Sequence, residues 1–139
     1  MKPMTYKPIE FKKYKGKDVK VAEILYTGTI DGYEFNIVSL GSHPTAYVKI
    51  PKTHPLYAAD YNDSLCRNID VHGGLTFGEL GDYGGLFTHG YWIGWDYAHA
   101  YDYTEFRKDY NDPCAQKYTT EEIFKDVQSV ICQLKELED

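Results

Sequence analysis

Asp96, His99 and Asp102 stand at intervals of three residues. On a helical turn those side chains share a face, and an imidazole between two carboxylates can do two kinds of work. It can hold a hard or borderline metal ion, or it can act as a general base whose tautomer a carboxylate fixes. A buried His hydrogen-bonded to an Asp, with no metal, is the plainer reading and takes precedence. His72 is the second imidazole of interest, because Gly73 and Gly74 follow it and would let a ligand or another backbone come close. Trp92 and Trp95 lie just upstream of the Asp96 repeat. Arg67 and Arg107 are the chain's two arginines, and the guanidinium fork suits a phosphate or carboxylate. A hydrolase would use His72 or His99 as base with Asp96 or Asp102 orienting it. No GxSxG stretch and no Ser-His-Asp set supplies a nucleophile, so an enzyme is the second choice and a binding protein the first.

The aromatic content favours binding. The chain has 14 Tyr, 6 Phe and 2 Trp, 16% of its residues. Tyr57, Tyr61, Phe77, Tyr83, Phe87, Tyr91, Trp92, Trp95, Tyr97, Tyr101 and Tyr103 crowd one stretch around the residues above. Rings with one polar tip make walls for a flat ligand, and stacking contributes about 1 to 3 kcal/mol per base. The competing explanation is that the rings pack a core or a subunit interface. The expected ligand-binding set is His72, Gly73, Gly74, Trp92, Trp95, Asp96, His99, Arg67 and Arg107. No cofactor is required, and a metal enters only with the hydrolytic alternative.

These groups need elements to position them. Residues 19–26, 29–33, 34–40 and 45–50 are rich in β-branched and aromatic side chains and read as strands of an antiparallel meander. Asp31-Gly32 is a type I′ hairpin signal, and Pro51 stops the last strand. Residues 54–68 read as a loop. Residues 69–77 and 91–96 read as two further strands, joined by a mobile Gly-rich connection at 78–90. Its GELGDYGG core lacks the spacing of a phosphate loop. Apolar residues from Ile123 to Leu137 recur at steps of three and four, with a Thr119/Glu122 capping box, so residues 120–138 form a helix laid on the sheet. Glu121, Lys125, Asp126, Gln128, Lys135 and Glu136 form its solvated face. The fold class is α+β: an antiparallel sheet, a loop-rich middle and one long C-terminal helix packed on it.

Length and charge set the remaining bounds. The 139 residues suit a single domain, 1–139, large enough for a core without disulfides or metal. Cys66, Cys114 and Cys132 are an odd set without CxxC spacing, read as ordinary thiols in a reducing cytoplasm. No apolar run approaches the roughly 20 residues of a membrane span, and no signal peptide is visible. Residues 1–20 hold seven Lys against two acids, whereas residues 60–139 hold six basic residues against sixteen acidic ones. Residues 1–17 read as a basic arm or an edge strand. The acidic remainder opposes duplex nucleic acid.

Two of these stretches carry a resemblance. Val71-His72-Gly73-Gly74-Leu75-Thr76-Phe77 and Trp92-Ile93-Gly94-Trp95-Asp96, with Ala98-His99, resemble a family of small bacteriophage proteins bearing VHGGLTF-like and WWIGFDCAHxGD-like runs. Residues 41–51, His54-Pro55-Leu56-Tyr57 and a helix ending Gln133-Leu134 are also similar, so the resemblance spans about residues 33–137. Trp95 stands where the family has Phe, Tyr97 where Cys is usual, and Tyr101 where Gly precedes the Asp. The resemblance implies a phage accessory protein in the host cytoplasm, with His72, Gly73, Gly74, Asp96, His99 and Asp102 as its shared motif residues. With it comes the expectation of a host-immunity antagonist that sequesters a nucleotide-derived signal, as a sponge and with homo-oligomers open. An inhibitor of a host protein, binding through the aromatic surface, is a third reading.

Overall fold

The computed structural model of the chain describes residues 7–14, 17–39, 43–59, 64–82, 87–97 and 118–138, with side chains from residue 23 onward except 64 and 65. Six strands form one antiparallel sheet among these residues: β1 (Lys7–Tyr14), β2 (Lys17–Ile30), β3 (Tyr33–Ser39), β4 (Pro44–Ile50), β5 (Phe77–Gly81) and β6 (Gly90–Asp96). Their order is β1-β2-β3-β4-β6-β5, so β6 inserts between β4 and the edge strand β5. A one-turn helix, α1 (Ser64–Arg67), interrupts the middle of the chain, and α2 (Thr120–Glu136) closes it. The α+β expectation holds.

Local chemistry explains the meander. Asp31 and Gly32 have φ of +50° and +85°, the pair of left-handed residues that lets a two-residue turn follow the strand twist. Strand β4 ends at Ile50, directly before Pro51. Residues 7–14 of the proposed basic arm are strand β1, paired with β2 through two register shifts beside Pro8 and Glu10. Proline and irregular pairing on an outer, lysine-rich strand discourage further strand addition.

The Gly-rich stretch departs from expectation. Gly78, Glu79, Leu80 and Gly81 belong to strand β5, paired with β6 in continuous register, and residues 69–76 before it are irregular. Hydrophobic pattern marked 69–77 as the strand. The carbonyls and amides of β6 instead took the Gly-rich partner, because an edge strand needs little side-chain burial to hold its place.

The sheet has two apolar faces. Tyr26, Tyr33, Phe35, Ile37, Ala46, Val48, Ile50, Tyr91, Ile93 and Trp95 pack on the front face against Ile123, Phe124, Val127, Val130, Ile131 and Leu134 of α2. Ile24, Val38, Tyr47, Phe87 and Trp92, with Phe77, form a second cluster on the back. Ile24 and Tyr26 are two residues apart yet serve opposite faces, because the β2–β3 pairing shifts register between them. Helix α2 starts with the expected capping box: the Thr119 hydroxyl accepts from the Glu122 amide and the Glu122 carboxylate from the Thr119 amide. Its other end is held by three groups. Tyr33 donates its hydroxyl to Glu138 at 2.6 Å, Lys135 pairs with Asp31 at 2.9 Å, and buried His54 bonds the Leu134 carbonyl at 2.8 Å. The Leu56 amide donates to His54 Nδ1, so Nε2 carries the proton given to Leu134.

Among the described residues no helix is long and apolar enough to cross a membrane.

Candidate functional site

The segment before β5 brings His72 to the front face. Ile69 is buried, and the amide and carbonyl of Asp70 are both bonded by the Gln133 side chain of α2, at 2.7 and 2.8 Å. A primary amide used this way imitates a rung of β-ladder, fixing the backbone two residues before His72. Residues 71–74 then turn, with Gly74 N–H donating to Val71 O at 2.8 Å and Gly73 at φ +70°. A positive φ at the third position is the mark of a type II turn and explains Gly73. The Thr76 amide rejoins the sheet on the Gly94 carbonyl. Gln133 and the turn therefore anchor His72 from both sides.

The imidazole lies flat on Tyr97, centroids 4.8 Å apart and planes 11° from parallel. Tyr118 is the third wall, tilted against both rings at 4.8 and 4.9 Å, and its hydroxyl stands 3.4 Å from His72 Nδ1. Tyr97 is fixed in turn. The Trp95 indole N–H donates to the Tyr97 oxygen at 3.0 Å, and the Tyr97 hydroxyl donates to Asp126 at 2.6 Å. Burial, followed by the bond to the Asp126 carboxylate, pushes the Tyr97 phenol far above its ordinary range, so it remains a neutral donor. Tyr97 and Trp95 are almost wholly buried, while His72 and Tyr118 are half-buried. The result is a rigid shelf with a partly accessible imidazole on it.

The expected residues divide by strand parity. Side chains alternate along β6, so Tyr91, Ile93 and Trp95 face the helix while Trp92, Gly94 and Asp96 face the back. Trp92 packs on Phe87 and donates its indole N–H to the Thr88 carbonyl. It is part of the back cluster and does not share a wall with Trp95. Asp96, at the end of the strand, accepts from the Thr76 hydroxyl at 3.2 Å. The helical turn expected from Asp96 does not begin there, because Asp96 is still in β6 and its backbone is extended. Arg67 is exposed at the end of α1. His99, Asp102 and Arg107 lie outside the described residues. Among those described, no three His, Cys, Asp or Glu side chains converge as metal ligands would.

No protein family, characterised protein or solved structure matches this chain.

Three members of the cluster, Tyr97, Tyr118 and Asp126, are not in the expected set. Tyr97 stood among the aromatic excess without a distinct role, and Asp126 was assigned to the solvated helix face. The signal for Asp126 was its place one helical turn before Val130, on the flank of the apolar stripe rather than opposite it. Only the sheet register says which ring it meets. Gly94 also gains a reason. A Cβ there would fall 2.6 Å from the Tyr47 ring and 2.9 Å from the Ala46 carbonyl. Tyr47 and Phe77, opposite Gly94 on its two neighbouring strands, meet edge to face at 5.2 Å on this side of the sheet. Glycine lets the two rings close over the strand.

Proposed function

We propose that this protein is a bacteriophage accessory protein that binds a small, flat, nucleotide-derived ligand beside His72, Tyr97 and Tyr118, and so withdraws a host immune signal. The observation that carries the reading is the His72–Tyr97 stack, half-accessible and fixed from below by Trp95 and Asp126. A platform held this firmly loses little freedom when a ligand settles on it, which is how a small site reaches useful affinity. The half-buried His72 imidazole and Tyr118 phenol offer π faces together with donors and acceptors at their edges, the combination a nucleobase needs, and buried Tyr97 backs the imidazole. Tyr97 and Tyr118, which flank residues 98–117 in the sequence, meet in the stack. The host cytoplasm is the setting this function requires. A hydrolytic use of His72 with Asp96 is less favoured, because alternation along β6 turns Asp96 to the face opposite Trp95.

The test is to make the protein in cells producing cyclic nucleotide signals, purify it, denature it and identify what is released by mass spectrometry. Close to one equivalent of a nucleotide from the wild type, and little from His72→Ala, is the expected result. Wild-type protein that releases no nucleotide overturns the reading.

A further inference from the structure

Strand β6 runs from Gly90 to Asp96, so its first residue lies about 20 Å from the His72 end, at roughly 3.3 Å per residue. At that remote end is a cleft of about 380 Å³, within the usual range for small-molecule sites. Its walls include Glu34, Lys49, Lys52, Tyr57, Leu80 and His89.

We propose that this cleft is a second binding site, for a phosphate or carboxylate group carried on a flat apolar body.

The polar groups of the cleft are unequal. Glu34 is already satisfied: it accepts the Thr88 hydroxyl at 2.7 Å and lies 3.9 Å from the Lys49 ammonium, which itself donates to Thr88 at 3.0 Å. A Cβ at Gly90 would land on the Lys49 side chain, so glycine leaves Lys49 its path across the strand. That triad is closed and close to neutral. Lys52, Tyr57 and His89 remain, and among the described residues their side chains make no hydrogen bond or ion pair. An ammonium and a phenol are donors, and an imidazole supplies at least one N–H. Three donors with no acceptor of their own call for an acceptor-rich, negatively charged partner. Charge-assisted bonds of this kind are the stronger ones.

The rest of the wall fixes the body of the ligand. Leu80 is 58% exposed, the one large apolar side chain so exposed among the described residues. With Pro51 it gives the cleft apolar lining beside its donors. A bare inorganic anion would leave that lining wet. An anion attached to a ring would cover it.

The test uses the full-length protein in NMR titrations with inorganic phosphate, phenyl phosphate and benzoate. The amides of Lys52, Leu80, His89 and Gly90 should shift saturably with phenyl phosphate or benzoate, at least about fivefold more tightly than with phosphate. Whichever of the two ring compounds binds better identifies the preferred head group. Joint replacement Lys52→Met and His89→Gln, at two exposed positions, should weaken binding at least about tenfold, the factor for one charge-assisted bond. Leu80→Ser should erase the advantage over phosphate. His72→Ala should leave the titration unchanged, which separates this cleft from the aromatic shelf. Absence of saturable shifts at these four amides, or affinity indifferent to the Lys52 and His89 changes, would overturn the proposal.

Discussion

Replacing Tyr97 with Phe removes one oxygen atom and leaves the ring. That oxygen accepts from the Trp95 indole and donates to Asp126. Trp95 is 1% exposed, so its N–H would have no water to turn to, and an orphaned buried donor costs about 1 to 3 kcal/mol. Asp126 is half-buried, and water can replace its lost partner at small cost. The expected loss is therefore about 2 to 3 kcal/mol in urea denaturation. With roughly 0.3 kcal/mol/K of unfolding entropy for a chain this long, the midpoint should fall by about 7 to 10 °C. Because the Phe ring still supports His72, its ring-current-shifted imidazole protons should stay displaced in NMR spectra of Tyr97→Phe. They should return to ordinary positions in Tyr97→Leu. A double-mutant cycle with Asp126→Leu should show coupling of at least about 1 kcal/mol. A loss under about 0.5 kcal/mol, or additive effects of the two changes, would refute the hydrogen-bonded chain as the support of the shelf.

Alkaline pH probes the same phenol. Tyr97 and Tyr33 both have pKa values raised by burial and by a carboxylate that accepts their hydroxyl, Asp126 and Glu138 respectively. An unfolded tyrosine ionises near pH 10, so the stabilisation is complete below that pH and is lost as pH rises beyond it. Each such group contributes a slope of about 1.4 kcal/mol per pH unit. Urea midpoints measured between pH 9 and 12 should fall more gently in Tyr97→Phe than in the wild type, and equal slopes would contradict the assignment. Gly94→Ala places a Cβ against the Tyr47 ring and the Ala46 carbonyl. The ring can tilt but the carbonyl belongs to the β4–β6 ladder, so the change should cost about 1 to 3 kcal/mol, and a neutral result would show the rings have room to spare.

Where local chemistry decides structure, the sequence was a sufficient guide. Asp31-Gly32 specifies its turn by its φ angles, Pro51 ends a strand by lacking an N–H, and Thr119 with Glu122 starts a helix by satisfying its own amides. Helical periodicity likewise identified every buried residue of α2. The Gly-rich stretch failed because membership of an edge strand is granted by the neighbour's backbone, which side-chain pattern does not report. Residues 69–76 failed for the complementary reason. Ile69 is buried and Val71 and Leu75 are partly buried, but Gln133 and a turn, not a ladder, hold them.

The candidate site was legible in its residue types and not in its partnerships. His72 stands out in the sequence because Gly73 and Gly74 leave room beside it, and the structure adds that Gly73 is held at positive φ in a turn. Trp92, Trp95 and Asp96 read as neighbours because they are adjacent in the chain. In a strand an odd spacing separates and an even spacing unites, and Trp92 to Trp95 is three residues. The same rule extends Trp95 to Tyr97, two residues on, which is why those two meet on the helix side and Asp96 between them does not. Once residues 91–96 are taken as a strand, that division follows from counting alone. Asp126 could not be found by counting, because its partner depends on where α2 crosses the sheet. The crossing is set by the fit of Ile123, Val127, Val130, Ile131 and Leu134 into the front face. Packing of the core therefore decides which carboxylate reaches Tyr97, and through Tyr97 how firmly the imidazole of His72 is held.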